Sequence, residues 1–230
     1  SADVVAIIPA RGGSTRIPRK NAKVFNGKPI IAWPLEACIA LDAISRSVVS
    51  TDDEELARIA RESGATTVID RPAELATDMA GTAPVIKHAI DELGLDDDTL
   101  VICFYPTATL TPHLISEALE LAREHPDKFV VSVGRHRSPH ERSLQRLEGD
   151  LMSLASPHHL LTRTQDLPQR YFDAGKLYVA RASVWKARET MMQKPFVPFH
   201  LPDWAAVDID EPDDWPVAEA LHRVFVLESS

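Results

Sequence analysis

Short apolar runs alternate with longer amphipathic stretches along most of the chain. The first run, residues 4–9, is apolar throughout, which is typical of a strand buried on both faces of a sheet. Similar runs predict further strands at residues 47–50, 66–69, 100–105 and 129–133. Because helix-length segments separate these runs, the pattern predicts an α/β protein with a mostly parallel sheet and helices on both faces.

The helix-length segments carry start and stop signals. Gly64 and Gly94 follow two of them in the position where a left-handed C-terminal residue is favoured. Thr111 and Pro112 have the residue types of an N-cap and a first helical residue. The predicted helices cover residues 30–40, 53–63, 83–93, 112–125, 182–190 and 212–226.

The regular pattern breaks at residues 135–170, which are rich in Arg, His, Ser, Pro and Gln. This segment is too long for a plain loop in a compact domain. We expect either a mobile lid or an arm that finds its core in a partner subunit. An apolar strand at residues 175–180 resumes the pattern, and a short β-branched run at 207–210 precedes the last helix. Residues 1–230 are therefore predicted to form one domain, with 135–170 inserted in it.

Composition narrows the function classes. The chain has 230 residues, 44% of them hydrophobic, and a net charge of −9. An acidic protein with one basic loop favours a small anionic ligand over nucleic acid. No apolar run reaches the ~20 residues that span a bilayer, and the N-terminus lacks the shape of a signal peptide. Cys38 and Cys103 both lie in apolar segments, as core thiols of a reducing compartment do, so we expect a cytoplasmic protein without membrane partners.

The loop after the first strand, residues 10–21, combines two glycines with four cations. Small residues let backbone N–H groups approach an anion, and Arg and Lys neutralise it, so the loop indicates a polyphosphate ligand. The loop matches neither the Walker A motif nor the Rossmann glycine fingerprint. Taken alone, it is also compatible with a tight turn whose charges are solvated.

Asp208 and Asp210 flank one residue in the β-branched run before the last helix. Alternate residues of a strand face the same side, which would place these carboxylates about 7 Å apart. Such a pair can share one hard cation with phosphate and water oxygens. On its own, an Asp-x-Asp pair is more often a solvated edge or the start of a helix.

Several blocks, in order over nearly the whole chain, resemble the CMP-nonulosonic acid synthetases, also called the acylneuraminate cytidylyltransferase family. They are residues 8–14, 16–18, 20–21, 27–29, 50–55, 71–75, 85–90 and 208–215. Residues 162–167 and 171–178 are similar to the branch of that family that uses pseudaminic acid. The chain departs from the common pattern at Thr15, where Lys is common, and at Phe172 and Lys176, where His and Gln are usual.

The resemblance implies a Rossmann-like fold of the nucleotide-diphospho-sugar transferase type. It also implies a homodimer that exchanges a protruding dimerisation arm, residues 135–170. The implied reaction joins the α-phosphate of CTP to the anomeric hydroxyl of a nine-carbon 2-keto acid sugar, with Mg²⁺ or Mn²⁺ as cofactor and pyrophosphate as the second product. Pseudaminic acid is the favoured sugar, and sialic, legionaminic and 3-deoxy-octulosonic acids are the alternatives. A non-catalytic nucleotide-binding homologue is the alternative of another class.

The residues that the resemblance implies fall into three groups. The CTP-binding group comprises Ala10, Arg11, Gly12, Gly13, Ser14, Arg16, Lys20, Asn21, Arg71, Asp78 and Thr82. The sugar-binding group comprises Tyr105, Thr107, Arg163, Gln165, Tyr171, Asp173, Gly175 and Lys176. The catalytic group comprises Arg11, Lys20, Asp208 and Asp210, and the two aspartates are also the expected metal ligands.

Overall fold

A computed structural model describes residues 3–229 and shows one large sheet between two layers of helices. The strands are β1 Val4–Pro9, β2 Val24–Phe25, β3 Lys28–Pro29, β4 Arg46–Thr51, β5 Thr67–Asp70, β6 Leu100–Phe104, β7 Val130–Arg135, β8 Leu144–Arg146, β9 Met152–Leu154, β10 Tyr171–Arg181 and β11 Val197–His200. The α-helices are α1 Ala32–Ile39, α2 Glu54–Glu62, α3 Thr82–Leu93, α4 Pro112–Glu124, α5 Ala182–Ala187 and α6 Asp214–His222.

The large sheet has seven strands in the order β11-β7-β10-β6-β1-β4-β5. β10 is antiparallel to both of its neighbours, and every other pair in this sheet is parallel. The prediction of a mostly parallel sheet is confirmed. The remaining four strands form two small antiparallel pairs, β2 with β3 and β8 with β9.

The side chains of the sheet alternate between two apolar cores. In β1, Val4, Ala6 and Ile8 face the core formed with α1, α2 and α4. Val5 and Ile7 face the other core, formed with α3 and α5. This alternation explains why the strand is apolar at every position, because both of its faces are covered by helices. The predicted α/β/α sandwich is confirmed.

The residues predicted to begin and end helices are found at the ends of α2, α3 and α4. The Asp53 carboxylate accepts a hydrogen bond from the Leu56 amide at 2.9 Å and so caps α2. The Thr111 hydroxyl caps α4 in the same way at 3.3 Å. Gly64 and Gly94 follow α2 and α3 with φ of +100° and +59°, which a residue with a Cβ rarely adopts.

Several elements differ from the sequence prediction. The helix predicted at 182–190 ends at Ala187, and the last helix ends at His222, where a π-helical turn continues to Leu227. β11 is not among the predicted strands, and its Pro198 is tolerated because β11 is an edge strand. The strand expected at residues 207–210 is wrong, because this segment forms no sheet pairing.

Residues 136–170 leave the sheet between β7 and β10 and carry the small β8–β9 pair. The base of this segment is held by an ion pair between Arg170 and the buried Glu141 at 3.1 Å. Large apolar side chains of the segment are exposed, namely Leu144, Leu147, Leu151, Met152, Leu160 and Leu161. A role in a homodimer stays a prediction. Among the described residues, no helix is long and apolar enough to cross a membrane.

Candidate active site

A cleft of about 320 Å³ opens where the carboxyl ends of β1 and β6 meet the loop before α3. In open α/β sheets this edge is where ligands gather. The cleft brings together ten residues that the sequence predicted for the site, namely Arg11, Ser14, Arg16, Lys20, Asn21, Arg71, Asp78, Thr82, Tyr105 and Asp210.

A third apolar cluster explains why the basic loop and the acidic pair meet. Ile17 of the loop and Ile209 of the acidic segment are both buried in this cluster, together with Trp215 of α6. Because Ile209 points inward, Asp208 and Asp210 on either side of it are exposed. The alternation expected of a strand therefore holds locally, although the segment is not part of a sheet.

Lys20 connects the two segments directly. Its Nζ donates a hydrogen bond to the carbonyl oxygen of Ile209. Burial lowers the pKa of Lys20, and the negative charges of Asp210 and Asp208 oppose that effect. The ammonium group thus lies in a partly desolvated place between two carboxylates, where its charge acts on a nearby anion more strongly than in water.

Two further cations of the loop, Arg11 and Arg16, line the cleft and have carboxylate partners. Arg11 forms an ion pair with Asp78 in the loop before α3. Arg16 lies 3.3 Å from a carboxylate oxygen of Asp210 and 3.2 Å from one of Glu211. These pairs hold the guanidinium groups at the rim of the cleft.

The inner wall of the cleft is formed by Arg71, Thr82 and Tyr105. Arg71 is buried, its Nη2 donates to the carbonyl oxygen of Ser50 at 3.1 Å, and its Nε has no hydrogen-bond partner. Burial lowers the pKa of Arg71. The hydroxyls of Thr82 and Tyr105 are hydrogen-bonded to each other, and burial raises the pKa of Tyr105 to about 12. The phenol is therefore neutral at physiological pH and can donate or accept a hydrogen bond.

A second cavity, of about 210 Å³, adjoins the cleft. Lys20, Asn21, Tyr105 and Asp210 line both cavities. The second cavity is further lined by Pro106, Thr107, Gly175, Lys176, Asp208 and Ile209. Two ligands could therefore lie side by side with Lys20 and Asp210 between them.

A bulge in β10 places Lys176 in the second cavity. The pairing register of β10 with β7 shifts between Asp173 and Tyr178, and Gly175 takes a φ of +62°. The buried Ser132 hydroxyl accepts hydrogen bonds from the amides of Lys176 and Leu177 at 3.3 and 3.0 Å. Burial lowers the pKa of Lys176 to about 8, against the opposing effect of the Asp208 charge.

Asp208 is influenced by the charges of Lys176, Asp210 and Lys20. Partial burial of its carboxylate raises the pKa of Asp208, and Asp210 adds to that effect, while Lys176 and Lys20 oppose it. A cation bound at this carboxylate would offset the repulsion between Asp208 and Asp210.

Seven predicted residues lie outside both cavities. Three belong to the basic loop, namely Ala10, Gly12 and Gly13, and four to the sugar set, namely Arg163, Gln165, Tyr171 and Asp173. The Gly12 amide donates to Asp52 at 3.0 Å. Arg163 is paired with Asp166 at 2.8 Å in the segment 136–170. The ring of Tyr171 lies 5.0 Å from that of His200, and Asp173 accepts hydrogen bonds from the Tyr178 hydroxyl at 2.9 and 3.0 Å. Ligand contacts of these seven residues stay predictions.

Sequence reasoning missed several lining residues and one ion-pair network. Ile17 and Ile209 carry a signal in hindsight, because each is a large apolar residue inside a polar segment. Thr15, Thr77 and Val85 also line the cleft and carry no comparable signal. Arg19 forms ion pairs with Asp53 and Glu55. The sequence does not indicate these pairs, because Arg19 and Asp53 lie 34 positions apart in the chain.

No group of three or more His, Cys, Asp or Glu side chains in residues 3–229 is arranged to hold a metal ion. Asp208 and Asp210 therefore provide at most two protein ligands. This donor set fits Mg²⁺ or Mn²⁺ bound together with a phosphate ligand, because such ions are held by one or two carboxylates plus phosphate and water oxygens.

Two solved structures share this fold. CMP:2-keto-3-deoxy-manno-octonic acid synthetase in complex with CTP superposes with a TM-score of 0.69 and 16% identity, covering 97% of this chain and 99% of that one. A 4-diphosphocytidyl-2C-methyl-D-erythritol synthase gives a TM-score of 0.67 at 13% identity, covering 96% and 99%. The fold is that of the Rossmann-like nucleotidyltransferases.

Sequence relatives narrow the class to one family. A family model described as cytidylyltransferase matches residues 5–203. Pseudaminic acid cytidylyltransferase of Campylobacter jejuni is 32% identical over 96% of both chains. CMP-N,N'-diacetyllegionaminic acid synthase of Legionella pneumophila is 31% identical over 95% of both chains. The chain belongs to the cytidylyltransferase family, and it is an enzyme that transfers CMP from CTP.

Proposed function

We propose that the enzyme couples CTP to the anomeric hydroxyl of a nine-carbon 2-keto acid sugar, pseudaminic acid in first place, and releases pyrophosphate. The observation that carries this proposal is the pair of adjoining cavities with Lys20 and Asp210 in their common wall. The cleft fits the nucleotide and the second cavity the sugar. The similarity to the pseudaminic acid enzyme of Campylobacter jejuni over nearly the full length supports the choice of sugar.

The proposed chemistry needs charge neutralisation and in-line positioning more than covalent help. Arg11, Arg16 and Lys20 line the cleft and supply positive charge to the triphosphate. Lys20 is the one of these three cations that lines both cavities, so it stabilises the charge that develops on the transferred α-phosphate. Ser14 and Asn21 line the same cleft and serve as polar contacts of the nucleotide.

Asp208 and Asp210 would hold Mg²⁺ or Mn²⁺ together with phosphate oxygens. When bound, such an ion neutralises phosphate charge and lowers the pKa of a coordinated hydroxyl. Asp210 pairs with Arg16 at 3.3 Å in the structure. Binding would replace this pair, because the phosphate attracts Arg16 and the ion attracts Asp210. The proton of the sugar hydroxyl would go to one of the two carboxylates, which both line the second cavity.

A sugar with a carboxylate requires a cation in the second cavity. Lys176 meets this requirement, because it is buried there beside Asp208. Arg163 is the alternative cation, and it lies on the segment 136–170 that we propose to exchange between the subunits of a homodimer. The exposed apolar side chains of that segment support the proposed homodimer. Analytical ultracentrifugation would test it, because the mass of the particle gives the number of subunits.

Product analysis tests the proposed function. The enzyme is incubated with CTP, Mg²⁺ and a panel of pseudaminic, legionaminic, sialic and 3-deoxy-octulosonic acids, and pyrophosphate release and product mass are measured. We expect pyrophosphate only when nucleotide, ion and sugar are present together, with the highest kcat/KM for pseudaminic acid. A preference for another acid of the panel would overturn the choice of sugar. No turnover of any of them would overturn the proposed reaction and favour a non-catalytic nucleotide-binding homologue.

A further inference from the structure

Arg19 has a backbone conformation that its residue type disfavours. Its φ of +55° and ψ of +36° place it in the left-handed region, where a residue with a Cβ is strained. It is also the one cation of the basic loop that does not line the cleft, among the four at Arg11, Arg16, Arg19 and Lys20. The conformation of Arg19 therefore calls for an explanation outside the cleft.

The Arg19 side chain is instead held by the start of α2. Its two terminal nitrogens lie 2.6 and 3.0 Å from the two carboxylate oxygens of Asp53, and one of them also pairs with Glu55. Two parallel bonds of this kind fix the orientation of a guanidinium group as well as its position. Asp53 itself is fixed, because it caps α2 by accepting from the Leu56 amide.

The other end of the basic loop rests on the same turn. The Gly12 amide donates to Asp52 at 3.0 Å. A Cβ added at Gly12 would lie 2.7 Å from Asp53 Oδ2 and 2.9 Å from Asp53 Cβ, so only glycine permits this close approach. Asp52 and Asp53 thus contact the loop on both sides of the cleft-lining residues 14–16.

We propose that Arg19 is a positioning residue that acts through Asp53 to hold the basic loop in the shape that binds CTP. The contacts of Arg19 and Gly12 anchor both ends of the loop to the rigid β4–α2 turn. Lys20 follows Arg19 directly and points into the cleft, so its place depends on the anchored backbone. This inference rests on the proposed function only in that it takes the loop to be the triphosphate site.

A double-mutant cycle tests the inference. We compare Arg19→Ala, Asp53→Asn and the double variant, because asparagine keeps the helix cap and removes only the charged partner of Arg19. Each single change should lower kcat/KM for CTP about tenfold, since small displacements of binding groups reduce catalysis steeply. The double variant should lose no more than either single one, while the KM for the sugar and the melting temperature stay unchanged. Arg58→Ala, which removes a 2.8 Å ion pair with Glu62 on the exposed side of α2, is the matched control and should have no effect.

Three outcomes would overturn the inference. If Arg19→Ala impairs the use of CTP and Asp53→Asn does not, Arg19 is a direct phosphate ligand. If the two losses multiply, the residues act independently. If Arg19→Lys restores full activity, charge alone is required, because lysine cannot make the two-bond contact. A wild-type enzyme that binds CTP but converts no sugar would refute the proposed reaction only, and the same cycle measured as CTP affinity would still test the role of Arg19.

Discussion

The Nζ of Lys20 donates a hydrogen bond to the carbonyl oxygen of Ile209, although 189 residues separate the two in the chain. The contact joins the basic loop to the acidic segment at the wall that the two cavities share. Ile17 and Ile209 are buried in one apolar cluster beneath it. Burial of two apolar side chains thus brings a cation and two carboxylates to one place, which is the basis of the mechanism proposed above.

Replacement of Lys20 should affect turnover more than folding. Lys20→Ala removes the cation nearest the transferred phosphate, and we expect kcat to fall about 10²- to 10³-fold, as when a single transition-state contact is lost. Pyrophosphate release at saturating CTP measures the change. Lys23→Ala is the matched control, because Lys23 lies over the ring of Trp215 and not in the cleft. Equal activity of Lys20→Ala and wild type would contradict the role of Lys20.

Replacement of Asp210 should strongly reduce the Mg²⁺-dependent activity. Asp210→Asn removes one of two carboxylates from the expected ion site, so we expect a loss of about 10²-fold or more at saturating Mg²⁺ with the fold intact. Activity is measured as a function of Mg²⁺ concentration. Glu211→Gln serves as control, because it takes the other carboxylate partner from Arg16 and leaves the acidic pair unchanged. If the Asp210 variant retains wild-type turnover, the ion binds elsewhere.

A side chain at Gly134 of β7 should destabilise the folded protein. A Cβ at this position would lie 2.3 Å from Cζ of Phe172, whose ring covers the glycine. We expect Gly134→Ala to lower the free energy of unfolding by about 1–3 kcal/mol, the usual cost of overpacking. Urea denaturation measures the change, and Phe172→Leu in the same chain should recover part of it. Gly13→Ala has no neighbour within 4 Å and should leave stability unchanged. A stable Gly134→Ala protein would show that the ring moves freely.

His222 should make stability depend on pH. Burial against Phe25 and Trp33 lowers the pKa of His222 to about 4, whereas the unfolded value is about 6.5. The unfolded chain therefore binds the proton first as the pH falls. The contribution is fully present above pH 6.5 and declines by about 1.4 kcal/mol per unit between pH 6.5 and 4.

His222→Phe removes this titration and should flatten the dependence in that window. Phe keeps the aromatic packing, and Asn26 keeps the carbonyl of Glu219 as hydrogen-bond acceptor. Urea midpoints of both proteins from pH 4 to 8 supply the comparison. Identical slopes for the two proteins would contradict a depressed His222 pKa.

Local patterns in the sequence suffice for most of the fold. The apolar run of β1, the cap at Asp53 and the glycine after α3 each act through near neighbours, so their effect is visible in the sequence. β11 was missed because Pro198 argues against a strand, and only its place at the sheet edge makes the proline harmless.

The site was predictable in its residue types and only partly in its arrangement. Arg11, Lys20 and Asp210 come together because of the long-range burial of Ile17 and Ile209, which no local pattern specifies. The contact between Arg19 and Asp53 escapes sequence reasoning for the same reason. Gly12 shows the converse, because its lack of a side chain lets the Asp53 side chain come close, which the sequence does not indicate.

The most direct test of the account is a crystal structure of the enzyme with CTP and Mn²⁺, in which the anomalous signal of manganese locates the ion. We expect the manganese within bonding distance of the Asp208 and Asp210 carboxylates. We expect the triphosphate to lie between that ion and the side chains of Arg11, Arg16 and Lys20. A triphosphate bound away from the basic loop, or manganese bound without either aspartate, would contradict the account.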